Sequence, residues 1–76
     1  MDTLADALPR EIDRIQAKRD RWIKIAAEHP EMASGMNLTI ALMQHEIGAA
    51  VRAAASGETV QMMASIEALR AYSHDD

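Results

Sequence analysis

Between Gly35 and Ala55 the chain carries apolar residues on two nearly opposite faces of what their spacing predicts to be one helix. Met36, Ile40, Met43, Ile47, Ala50, Val51 and Ala54 fall on the first face. Leu38, Leu42, Ala49 and Ala53 fall on the second, with His45 at its margin. Polar residues are confined to narrow strips between them, Asn37, Gln44 and Arg52 on one side and Thr39 and Glu46 on the other. A helix apolar on both sides has to be covered on both sides. This segment therefore belongs at the centre of the fold, and the rest of the chain must supply its covers.

Two punctuation points set off the flanking segments. Pro30 with Ser34 and Gly35 marks the first, and Ser56 with Gly57 the second. The first helix is expected to end at Glu28, and its start is open between Leu4 and Pro9. Thr3 suits an N-cap, with Asp6 in the first turn where the helix dipole favours a carboxylate. Pro9 is equally suited to a first helical position. The third helix is expected over about 58–72, after Gly57 in a left-handed cap.

On the first helix Met1, Ala5, Leu8, Ile12, Ile15, Trp22 and Ala26 share one arc at alternating spacings of four and three, the seam of a helical bundle. Arg19 falls in the middle of it. The third helix offers Met62, Met63, Ile66 and Leu69. No run alternates as a strand does. The expected fold is all-α, a single domain over 1–76 in which three helices form an antiparallel hairpin or bundle.

A chain of this size buries only about 60% of its unfolded surface. The first helix, up to about 35 Å long at 1.5 Å per residue, overhangs the much shorter third. A homodimer is expected to cover the overhang, with Ile12, Ile15, Arg19 and Trp22 as core or dimer positions.

Signals for chemistry are sparse. There is no cysteine. The serines at 34, 56, 65 and 73 sit at helix ends or on helical faces, none in a nucleophile elbow. His29, His45 and His74 lack metal-ligand spacing. The methionines, at helical spacing in a chain without Phe, read as gap-fillers in the core. The chain is thus expected to be no enzyme and to take no cofactor. No apolar run approaches the roughly 20 residues that span a bilayer, and the opening residues lack a signal peptide's basic stretch. A cytoplasmic location is the expectation.

Charge is unevenly spread. Residues 10–24 carry six basic and three acidic side chains, while the chain as a whole has net charge −4. That balance argues against duplex nucleic acid as a partner. Arg10, Arg14, Lys18 and Arg21 project as a basic stripe opposite the seam, a candidate site for a nucleotide-like anion. Reversing Arg14 and Lys18 to Glu is then expected to spare the fold. Arg19 has two readings. Its stem can lie on the seam with the guanidinium in solvent, or it can form a partly buried ion pair with Glu46 or Glu67. Leu38, Leu42, His45 and Ala49, on the second face of the central helix, are the candidate surface for a protein partner.

The opening LPREI at 8–12, Gly35 and Met36 leading into Leu42, Met43 and Ile47, AAASGETV at 53–60, Met62 and Met63, and EALRAY at 67–72 together resemble small helical proteins encoded by temperate phages and prophages of proteobacteria. The likeness covers most of the chain and rests on packing and turn residues. It implies a protein that acts by binding a host protein, such as a defence complex, a regulator or a polymerase. A virion assembly role and an oligomer holding a nucleotide are the alternatives.

Overall fold

In the computed structural model, which describes residues 3–72, the chain forms three α-helices: α1 (Leu4–Glu28), α2 (Pro30–Ser56) and α3 (Thr59–Arg70). No strand occurs among the described residues. Met1 and His74 lie outside them.

α1 starts at Leu4. The Thr3 hydroxyl accepts from the Asp6 amide at 3.2 Å and the Thr3 carbonyl from the Ala7 amide at 2.8 Å, so Thr3 caps the first turn. Pro9 is therefore inside the helix, where it cannot donate to the carbonyl of Ala5. Leu8, wholly buried beside it, and Ala7 hold the segment on the core.

The break between α1 and α2 is a single residue, His29. The expected start of the second helix at Gly35 is corrected to Pro30, which occupies a first-turn position and needs no amide partner there. Ser34 and Gly35 continue the helix. α2 ends at Gly57, left-handed at φ 72°, whose amide donates to the Ala53 carbonyl. The Ser56 hydroxyl donates to the same carbonyl at 2.9 Å and accepts from the Glu58 amide at 3.2 Å, reversing the chain within two residues.

The single-residue break folds α1 and α2 into an antiparallel hairpin, and α3 runs back beside both, parallel to α1. Leu8, Ile12 and Ile15 meet Met43, Ile47, Ala50 and Ala53 of α2 and Met62, Ile66 and Leu69 of α3 in one core. Leu8, Ile15, Met43 and Leu69 are wholly buried. Trp22 packs half-buried against the core. Six residues of the expected apolar faces, Ala5, Leu38, Leu42, Val51, Ala54 and Met63, are instead exposed. Ala53, assigned to the second face of α2, is buried against α3.

The lengths are unequal. α1 and α2 run 25 and 27 residues and α3 only 12, or about 37, 40 and 18 Å at 1.5 Å per residue. α3 consequently covers one half of the hairpin. The other half, from about residue 18 of α1 to residue 45 of α2, has two helices and no third. The molecule measures 42 × 21 × 16 Å, with a Cα radius of gyration of 13.3 Å, against roughly 11 Å for a compact domain of this length.

Candidate protein-contact surface

Five of the eight exposed large apolar side chains among the described residues lie beyond the end of α3, the other three, Val51, Val60 and Met63, being on the half that α3 covers. Ile23, Ile25, Met32, Leu38 and Leu42 all lie on the open half of the hairpin. Leu38 is 67% and Leu42 50% exposed. They share the outer face of α2 with exposed His45 and with Ala49, which is half-buried where α3 begins to cover the helix. These are the four residues that periodicity singles out for a partner, and they lie along one line on α2.

The flank of α1 that faces α3 has a different role from the expected one. Arg14 is held in a clasp: one guanidinium nitrogen, Nη2, donates to the carbonyls of Leu69 (2.9 Å) and Tyr72 (3.2 Å), and Nε pairs with Glu11 at 3.1 Å. The other Glu11 oxygen faces Arg70 Nε at 3.8 Å. A cation thus closes the C-terminal end of α3, where carbonyls lack partners and the dipole is negative. Lys18 is only 5% exposed, with its ammonium 5.9 Å from the Trp22 ring centroid, at the edge of cation–π reach.

The basic stripe is accordingly corrected. Arg10 and Arg21 are exposed, but Arg14 and Lys18 are drawn inward, and all four are engaged within the chain. The projection treated α1 as packing on one neighbour. A second neighbour, α3, occupies the flank on which Arg14 lies. The four do not form one solvent-facing row.

Of the two readings of Arg19, the ion pair with Glu46 or Glu67 does not form: Arg19 pairs with its neighbour Asp20 at 3.0 Å. Its side chain is partly buried with the guanidinium at the surface, the snorkelling arrangement.

Three shallow grooves complete the surface. One of about 370 Å³ runs between α1 and α3, lined chiefly by Leu4, Ala7, Met63 and Ile66. One of about 350 Å³ crosses the hairpin beside Ile23 and Ile40, and one of about 290 Å³ lies between α2 and α3 beside Ala49 and Ala64. Among the described residues no group of three or more His, Cys, Asp or Glu is placed to hold a metal ion, and no helix is long and apolar enough to cross a membrane.

Sequence reasoning missed the Glu11–Arg14–Arg70 clasp. Only the spacing of Glu11 and Arg14 hinted at a pair. Nothing local points to carbonyls 55 and 58 positions away.

The chain matches no protein-family model, no curated protein and no solved structure.

Proposed function

We propose that this chain is a non-enzymatic protein-binding module whose contact surface is the outer face of α2, centred on Leu38 and Leu42. The exposure of those two leucines carries the reading. They sit in the middle of a well-formed helix, where fully burying each contributes about 1.5–3 kcal/mol, and α3 stops short of both. The resemblance to small phage and prophage proteins supports a host protein as the eventual target, with the module acting by occupying it.

The test uses tagged wild-type chain and Leu38→Asp/Leu42→Asp as baits in a proteobacterial extract, after circular dichroism has shown equal helicity. A protein held by the wild type and released by the double substitution is the expected result. A protein retained equally by both, or a nucleotide carried by the purified chain, overturns the reading.

A further inference from the structure

We propose that the outer face of α2 pairs antiparallel with the same face of a second copy of this chain, about a two-fold axis at Leu42. The proposal rests on the reading of that face as a protein-contact surface, and it names the occupant in the free protein, which a host protein displaces. The face is a second seam, about 130° around α2 from the buried one, and its residues recur at alternating spacings of four and three. From Leu42 the steps run 3, 4, 3 forwards and 4, 3, 4 backwards, so antiparallel partners fall within one residue, about 1.5 Å, of the same level.

Antiparallel pairing therefore sets Leu42 against Leu42 of the second copy, Leu38 against His45, Gly35 against Ala49, and Glu31 against Arg52. Each layer chemically suits its opposite. Leucines meet at the centre, where both are exposed in the single chain. Gly35 and Ala49 are small, and a Cβ built at Gly35 meets nothing within 4 Å, so the helices can approach closely there. At the two ends, three heptads apart or about 31 Å, a carboxylate meets a guanidinium. Glu31 is 69% exposed, its His29 contact being 3.4 Å, and Arg52 is exposed. Parallel pairing would instead put Glu31 on Glu31 and Arg52 on Arg52.

Symmetry selects the occupant. An isologous interface requires each residue to meet its mirror position, so the patch must complement itself. A helix from an unrelated protein imposes no such constraint. The groove beside Ala49 and Ala64 adds room for the N-terminal half of the second α2, which brings its Gly35 there.

The absence of cysteine makes the register directly readable. Leu42→Cys is expected to oxidise to a disulfide dimer. Leu38→Cys alone and His45→Cys alone are expected not to, while a mixture of the two cross-links. Light scattering of the wild type at micromolar concentration is expected to give about twice 8.4 kDa. Glu31→Arg and Arg52→Glu each raise the dimer dissociation constant about tenfold, since the axis counts each change twice. Combining them restores the affinity. A monomer at high concentration, equal cross-linking of Leu38→Cys with itself, or a dimer indifferent to Leu42→Glu overturns the proposal. If the chain is monomeric and a host protein still depends on Leu38 and Leu42, the pairing fails and the contact surface stands.

Discussion

Arg14 donates to the carbonyl oxygen of Leu69 at 2.9 Å across 55 residues of chain, and so fastens the end of α3 to the middle of α1. Hydrogen bonds from a charged group contribute about 1.5–3 kcal/mol each. Arg14→Met keeps the stem and removes the fork. It is expected to lower the melting temperature by several degrees, since about 1 kcal/mol moves a domain of this size by roughly 4–8 °C. Arg14→Lys recovers part of the loss, because one ammonium cannot serve both carbonyls and Glu11 with the same geometry. Thermal melts of the three proteins check this, and equal midpoints would show that the clasp is idle.

Lys18 and Arg21 offer a matched contrast. Lys18→Glu places a carboxylate at a 5%-exposed position beside Trp22, and a cost of a few kcal/mol is expected. Arg21→Glu changes an exposed position and should stay within about 0.5 kcal/mol. Urea denaturation of the pair decides it. Equal midpoints would restore the solvated stripe inferred from periodicity.

Pro9 is a defect that can be repaired. Pro inside a helix is about 3 kcal/mol less favourable than Ala, and this one is exposed, making no core contact that Ala would forfeit. Pro9→Ala is expected to raise the denaturation midpoint. A lower midpoint would mean that a bend at this position is needed for Leu8 and Ile12 to seat.

Gly57 stands at φ 72°, and a Cβ there meets nothing within 4 Å. The cost of Gly57→Ala is therefore conformational alone, about 1–2 kcal/mol. Gly35→Ala, in open space at ordinary helical angles, is expected to stabilise the monomer by up to about 1 kcal/mol. Opposite signs for the same chemical change are the observable.

Tyr72 contributes to the loss of stability at alkaline pH. Burial, reinforced by the nearby charge of Glu46, pushes its phenol above the ordinary value of 10.0. The unfolded chain releases that proton at about pH 10 while the folded chain retains it, so stability is level below that pH and falls as pH rises through the folded value. Tyr72→Phe is expected to flatten this decline. Denaturation midpoints on either side of pH ~10 measure it, and an unchanged slope would assign the loss to other groups.

The helices were legible because their signals are local. The seam through Leu8, Ile12 and Ile15 and the caps at Thr3 and Gly57 need only neighbouring residues, and they stand as read. The start of α2 was misplaced because Ser34 and Gly35 look like a break, whereas Pro30 alone suffices once His29 can turn the chain. Leu38 and Leu42 were legible as a surface because apolar spacing persists on α2 opposite its buried neighbour. Arg14 was misread for a tertiary reason. Its carbonyl partners lie at the end of α3 and just beyond it, and the placement of that helix beside α1, rather than beside α2 alone, is encoded by no spacing within 10–24.

The one-residue break at His29 also fixes the order in which the chain can assemble. Closing so short a connection costs little entropy, and the α1–α2 hairpin grows outward from it through contacts between residues close in sequence. α3 turns back on α2 at Gly57, but completes the core only by bringing Leu69 back to Arg14, a far longer closure. The hairpin is thus the early structure and α3 the late one. Unfolding from the native side begins with α3, which undocks while α1 and α2 remain paired.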